Sequence, residues 1–249
     1  MTKNIALITG ASRGIGAATA KLLAQQALHI VINYHKNKQA AEKVAEIIIE
    51  SGGSAQIISA DISKESEIEK LFAEIDRIDG QLTMLVNNAG ILFKQAKIEE
   101  LTAQRINQVM HTNVTGYIIC CREAIKRMAI RHGGIGGSIV NVSSAAARLG
   151  APGEYIDYAA SKGAVDTLTT GLSLEVAEEN IRVNGVRPGF IYTEMHADGG
   201  EPNRVDRVSA NIPMKRGGQP EEVAQAIVWL LSEQASYVTG SHIDLAGGK

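Results

Sequence analysis

Ile5-Ala6-Leu7-Ile8-Thr9-Gly10-Ala11-Ser12-Arg13-Gly14-Ile15-Gly16 is the stretch from which the fold of this chain can be read. Four apolar residues in a row are long enough for a strand buried on both faces. Three glycines follow, and an amphipathic helix pattern starts at Gly14. Glycine lets a backbone turn tightly and come close to a bulky anion. A helix N-terminus adds free N–H groups and the positive end of its dipole. The spacing is G-x3-G-x-G, not the commoner G-x-G-x-x-G. A glycine-rich turn without a ligand would look the same in isolation. Its position between the first strand and the first helix is what makes it a candidate phosphate loop.

Outward from that loop the chain alternates. Strands are expected at Lys3–Thr9, His29–Asn33, Ala55–Ser59, Leu82–Asn87, Ser138–Val142, Arg182–Val186 and His242–Leu245. Helices are expected at Gly14–Ala27, Gln39–Ser51, Glu65–Ile78, Ala103–Arg131, Ile156–Glu178 and Pro220–Ser232. Continuous Val/Ile/Leu strands between helices imply an α/β, doubly wound parallel sheet of about seven strands with helices on both faces. No Ser/Gly-rich or charged linker divides residues 1–249, so a single domain is expected. Phe190–Gly218 alone lacks periodicity and lies past a strand end, where long loops tend to carry function. It is expected to be a substrate lid.

Composition excludes several classes. Lys and Arg number 25 against 27 Asp and Glu, a net charge of −2. No basic field exists to draw nucleic acid or an anionic membrane. Aromatic residues are 4% of the chain, too few for a base-stacking surface. No apolar run reaches the length of a membrane span, and the run at Ile5 is too short for a signal-peptide core. Cys120 and Cys121 are neighbours and cannot form an unstrained disulfide. A cytoplasmic protein with reduced thiols is expected. The six histidines are dispersed and none has ligand spacing to another histidine or a cysteine, so no metal site is expected.

The loop, taken with Asn87-Asn88-Ala89-Gly90, Tyr158-x-x-x-Lys162 and Pro188-Gly189, resembles the short-chain dehydrogenase/reductase family, over essentially the whole chain from Lys3 to Gly248. The resemblance implies a Rossmann fold, commonly a homotetramer, that moves a hydride between a nicotinamide cofactor and a small alcohol or carbonyl substrate. Such chemistry needs an acid/base for the alcohol proton. A tyrosine serves if its pKa, near 10 when unperturbed, comes toward neutrality. Lys162 lies four residues after Tyr158 on a predicted helix, so the two share a face. Its ammonium is expected to lower the tyrosine pKa.

Ser143 and Ser144 end the strand Ser138–Val142, at the edge where parallel sheets bind ligands. A hydroxyl there can stabilise charge on a substrate oxygen. The resemblance points to Ser144, with Ser143 more readily a cap of the following turn. It also implies that Asn113 holds a helix kink and a water relay to the lysine. Asn113, Ser144, Tyr158 and Lys162 are thus the expected catalytic set.

For the cofactor, the loop residues Gly10, Ser12, Arg13, Gly14, Ile15 and Gly16 are expected to hold the pyrophosphate. The resemblance adds Asn87, Ala89 and Gly90 along the ribose, and Asp61 with Ile62 at the adenine. It places Tyr158, Lys162, Pro188, Gly189, Ile191 and Thr193 toward the nicotinamide. An NAD enzyme commonly carries an acidic residue at the end of the second strand. Asn33 stands there, with His35 and Lys36 after it and Arg13 on the loop, so NADP(H) is expected over NAD(H). Three functions compete: a sugar- or polyol-type dehydrogenase, a 3-oxoacyl-carrier-protein reductase that would dock its carrier on Lys126, Arg127 and Arg131, and a non-catalytic NADP-binding regulator. A regulator has no chemical need for all four catalytic residues.

Overall fold

The computed structural model describes residues 3–249. Seven strands form one parallel sheet: β1 (Asn4–Ile8), β2 (Leu28–Tyr34), β3 (Ser54–Ser59), β4 (Gln81–Asn87), β5 (Gly137–Val142), β6 (Ile181–Pro188) and β7 (His242–Leu245). Their order across the sheet is β3-β2-β1-β4-β5-β6-β7, and every pairing is parallel. The expected single-domain, doubly wound Rossmann fold is what the chain adopts. The chain reverses direction of travel between β1 and β4, and the crevice outside the carboxyl ends of those two strands is where sheets of this kind bind ligands.

The two faces are legible in β1. Side chains alternate across a strand. Ile5 and Leu7 enter one core with Phe72, Leu85 and Val165, whereas Ala6 and Ile8 enter the other with Ile30, Val44 and Ile227. Each large apolar side chain removed from water this completely contributes about 1.5–3 kcal/mol. The first core is covered by α3 (Glu65–Ile75), α5 (Gly116–Met128) and α7 (Ile156–Glu175), the second by α1 (Gly14–Leu23), α2 (Lys38–Glu50) and α10 (Pro220–Leu231). Caps set several helix starts: Asn37 accepts from the Ala40 N–H at 2.9 Å, and Pro220 occupies the first turn of α10.

Two departures from the expected elements matter for the site. The region Ala103–Arg131 is not one helix. It is α4 (Ala103–Met110), a π-helical turn at His111–Thr115 and then α5. A π turn inserts an extra residue into the helical ladder, and Asn113 sits fully buried inside it. The aperiodic stretch Phe190–Gly218 contains two short helices, α8 (Met195–Asp198) and α9 (Arg204–Ser209). Four and six residues are too few for a helical period to show. The four-residue helix α6 (Ala146–Leu149) leaves no period in the sequence for the same reason. Among the described residues no helix is long and apolar enough to cross a membrane.

Candidate active site

The phosphate loop joins β1 to α1, and glycine is required in it for two separate reasons. Gly10 and Gly14 have φ of +61° and +54°, which side-chain-bearing residues rarely adopt. A Cβ on Gly10 would also lie 2.8 Å from Ala89 Cα, and one on Gly16 2.5 Å from Asn88 Nδ2. The loop is therefore closed tightly against the end of β4. Asn88 makes that closure: its backbone N–H donates to Thr9 Oγ1 at 2.9 Å and its amide donates to the carbonyls of Thr9 and Gly10. Asn88 was not among the expected site residues. Its sequence signal is a second asparagine at the strand end opposite Thr9. At the start of α1, Arg13 makes no side-chain capping bond, so the first N–H groups of the helix face the crevice without an internal cap. This cradle suits the pyrophosphate of a dinucleotide, and Thr193 lies across it, with Cγ2 3.3 Å from where a Cβ of Gly14 would stand.

The residues expected at the far end of a dinucleotide are arranged unevenly. Asn33 is buried, and its side chain works inside the protein. Oδ1 accepts from the Gly10 N–H at 3.3 Å, while Nδ2 donates to the carbonyls of Ile58 and Ala60 at 3.3 and 3.2 Å. Its part at this corner is to tie the glycine loop to β3 without a negative charge. His35 and Lys36 are exposed beside it. Asp61 is half-buried; its Oδ1 accepts from Ser63 N–H and Oγ, and Oδ2 lies 3.6 Å from His35 Nε2. Burial works to raise its pKa, but the Ser63 bonds and the nearby cations prevail and hold it below the usual range. The Ile62 side chain packs in the core. Arg13 is half-exposed and pairs with Asp198 of α8. Asn87 is fully buried, with Nδ2 donating to Asn141 Oδ1 at 2.9 Å, so Ala89 and Gly90 form the part of that segment nearer the crevice.

On the other side of the crevice, side chains rather than backbone build the site. Ser144 follows β5 and lies beside the phenol of Tyr158, near the start of α7; its Oγ donates to Pro188 O at 3.5 Å and accepts from the Ala146 N–H at 3.1 Å. Ser143 instead donates to the Lys162 carbonyl at 3.1 Å, which braces α7 against β5 and is a structural task. Asn113 Oδ1 accepts from the Ile91 N–H at 2.9 Å, and Nδ2 donates to Ile91 O and Ser161 Oγ, each at 3.1 Å. It thus pins the segment after β4 to α7. Gly90 stands between Asn113 and Lys162: a Cβ there would be 3.4 Å from Asn113 Oδ1 and 3.8 Å from Lys162 Nζ.

Lys162 is almost fully buried. Nζ donates to Val142 O at 2.7 Å and to Tyr117 Oη at 3.4 Å, and lies 5.6 Å from the centre of the Tyr158 ring. Burial lowers its pKa to about 7, against a smaller upward pull from Asp166. Burial raises the Tyr158 pKa to about 12, with the neighbouring Ser144 hydroxyl and the Arg204 charge opposing. The expected depression of the tyrosine by the lysine is therefore not what the geometry produces. Desolvation of the phenolate dominates, and the same desolvation weakens the cation that was to offset it.

Pro188 ends β6, and Gly189 comes so close to β7's continuation that a Cβ would lie 2.8 Å from Ala246 Cα. Beyond it, the Ile191 carbonyl meets His196 Nε2 at 3.0 Å. The Phe190–Gly218 segment is tied to the site by Arg204, which is buried with its guanidinium 4.6 Å from the Tyr155 ring centre and 5.2 Å from that of Phe190, and which pairs with Glu154. Gln95 links to the same network by donating to Glu201 Oε2 at 2.8 Å. Sequence reading singled out none of the three partners Arg204, Gln95 and Glu201. Among the described residues no group of three His, Cys, Asp or Glu is placed to hold a metal ion.

Residues 10–249 match the family model described as enoyl-(acyl carrier protein) reductase. The chain belongs to the short-chain dehydrogenase/reductase family. It is 68% identical over 98% of its length to the uncharacterized oxidoreductase YgfF of Escherichia coli, covering 99% of that protein. It is 36% identical over its full length to glucose 1-dehydrogenase 2 of Bacillus subtilis, covering 95% of it, and 39% identical over 98% to carbonyl reductase family member 4 of Danio rerio, covering 97%. Membership makes the protein an oxidoreductase enzyme with a nicotinamide cofactor, NAD(P)(H), and the glycine cradle between β1 and β4 is a fitting place for it. As a short-chain dehydrogenase/reductase it carries Asn113, Ser144, Tyr158 and Lys162 around one corner of the sheet.

Proposed function

We propose that the protein is an NADP(H)-dependent oxidoreductase acting on a small alcohol or carbonyl compound of the sugar or polyol type. The nicotinamide supplies or takes up the hydride. The observation that carries the reading is the Tyr158 phenol at the carboxyl edge of the sheet, beside Ser144 and with the Lys162 ammonium behind its ring. Held to about 12, Tyr158 is protonated at neutral pH and ready to give its proton to the alkoxide oxygen formed when a carbonyl is reduced. Ser144 steadies the charge on that oxygen. Lys162, titrating at about 7, can then return a proton to the phenolate. In the oxidative direction each transfer reverses, and Tyr158 takes the alcohol proton. Phe190–Gly218 serves as the substrate lid, and the homotetramer is the assembly we infer from the family.

Glucose 1-dehydrogenases among the relatives support the sugar or polyol substrate. The carrier-protein alternative draws on the description of the matching family model. Against it, the basic group it would use is already neutralised. Arg127 pairs with Asp76 and Glu123, Lys126 with Glu123, and Arg131 with Glu179. NADP(H) is favoured by the lack of an acidic residue at the end of β2 and by the exposed His35 and Lys36 after it, which Arg13 would join on leaving Asp198. A panel of aldoses, polyols and acetoacetyl thioesters, assayed with each cofactor, tests the proposal. Turnover of sugars or polyols with NADP(H) is expected. Turnover confined to acyl thioesters would replace this reading with the alternative, and a preference for NADH would overturn the cofactor assignment.

A further inference from the structure

We propose that Tyr117 is a positioning residue for Lys162: its hydroxyl oxygen anchors the lysine ammonium at the back of the site and favours its charged form. The inference rests on the reading of Lys162 as the proton partner of Tyr158, and it assigns a task to a residue outside the expected catalytic set.

Three polar atoms form a closed triangle behind Tyr158. Lys162 Nζ is 2.7 Å from Val142 O and 3.4 Å from Tyr117 Oη, and Tyr117 Oη is 3.3 Å from Val142 O. The Tyr117 hydroxyl proton is given to Val142 O. Its lone pairs are therefore left for the ammonium, and the tyrosine accepts from Lys162. The ammonium also lies 5.0 Å from the centre of the Tyr117 ring, within the range of a cation–π attraction. Two of the three Nζ protons are thereby committed at the back, and one is left for a partner on the cleft side. Tyr117 has no exposed surface. A phenylalanine would fill the same apolar space, so packing alone gives no reason for a hydroxyl there.

The chemistry of the surroundings gives that oxygen its effect. Burial opposes charge on Lys162. The other ionisable groups around it are Tyr158 and Asp166 on α7 and, beyond Tyr117 on α5, the buried thiols of Cys120 and Cys121. Asp166 is shared with Arg187 at 2.8 Å and His242 at 3.3 Å. Val142 O and Tyr117 Oη are thus the acceptors in direct contact with the ammonium among the described residues. Burial also drives the Tyr117 pKa upward, which keeps it a neutral phenol at the pH where Lys162 titrates.

The test is a direct titration of Lys162 in the full-length protein labelled with 13C-lysine. Its Cε resonance is identified by its loss in Lys162→Met. Tyr117→Phe is expected to lower the titration midpoint by about half to one pH unit, a roughly three- to tenfold loss of ammonium over amine, the scale of one ordinary hydrogen bond. Replacing Tyr117 by 3-fluorotyrosine keeps the volume, weakens the acceptor and should give a smaller shift of the same sign; it decides the question alone if Tyr117→Phe does not fold. An unchanged or raised midpoint in a folded variant would overturn the proposal. Failure of the underlying reading is separable: it would appear as full NADPH-dependent turnover in Lys162→Met, a result that leaves the Tyr117 titration untouched.

Discussion

The two sides of the crevice are built from different materials. On the β1–α1 side, glycines with positive φ and close backbone contacts shape the loop, and its donors are peptide N–H groups at the start of a helix. On the β5–α7 side, Ser144, Tyr158, Lys162 and Asn113 are all side chains, and the two ionisable ones are moved far from their ordinary pKa values by burial. The difference suits the tasks proposed for the two sides. Holding an anion requires fixed donors, which any backbone supplies if it can come close enough. Moving a proton requires side chains that can ionise, and here burial brings Lys162 to about 7 while it keeps Tyr158 protonated, at about 12.

The largest expected effect lies on the side-chain half. Tyr158→Phe keeps the ring and removes the transferable proton, so turnover should fall at least about 100-fold with cofactor binding retained. Near-normal turnover of that variant would erase the distinction drawn between the halves. Next comes stability. The folded-state pKa of Lys162, about 7, lies below that of an unfolded lysine. Between those values the unfolded chain binds more protons, so this lysine's destabilising effect is full below the folded pKa and fades as pH rises toward that of the unfolded chain. Lys162→Met should therefore be inactive yet more stable than wild type at neutral pH, by up to a few kcal/mol. Denaturant midpoints measured from neutral to alkaline pH should show the gap closing.

Substitutions on the backbone half should be felt in binding more than in chemistry. Asn33→Ala removes a buried amide that ties Gly10 to β3 and leaves their groups unpaired. A loss of about 1–3 kcal/mol in stability is expected, read by chemical unfolding, together with weaker binding of both nicotinamide cofactors. Arg13→Ala should weaken NADPH by about 1–3 kcal/mol and leave NADH nearly unchanged, with fluorescence titration of both cofactors as the measurement. The smallest effect belongs to Asp198→Asn. Asp198 holds Arg13 in an exposed pair, and such pairs are worth about 0–1 kcal/mol. Its removal should tighten NADPH by no more than that, and the gain should vanish at high salt.

Some of this was legible in the residues themselves. Buried parallel strands are continuous apolar runs, so seven strands and the long helices between them could be placed to within a few residues. The glycine loop, the Tyr158–Lys162 pair and the serines after β5 stood out because their spacing along the chain matches a local structure: a turn, a helix face, a strand end. Those are properties of neighbours in sequence. The π turn around Asn113 and the short helices of Phe190–Gly218 lacked a period to read.

What only the tertiary structure decided concerns partners distant in the chain. Asn33 lies at the end of β2, yet its amide turns inward to Gly10, Ile58 and Ala60 because β2 is buried on both faces. Tyr117 meets Lys162 across 45 residues, and Arg204 meets Glu154 across 50. Most of all, the direction of the tyrosine's pKa was set by burial. The i, i+4 spacing brings an ammonium to the same helix face and argues for a lowered value. The amount of water removed from Tyr158 and Lys162 depends on how β5, α5 and α7 pack together, and desolvation outweighs that neighbouring charge. A sequence carries the identity and spacing of the groups; the dielectric around each is a property of the assembled fold.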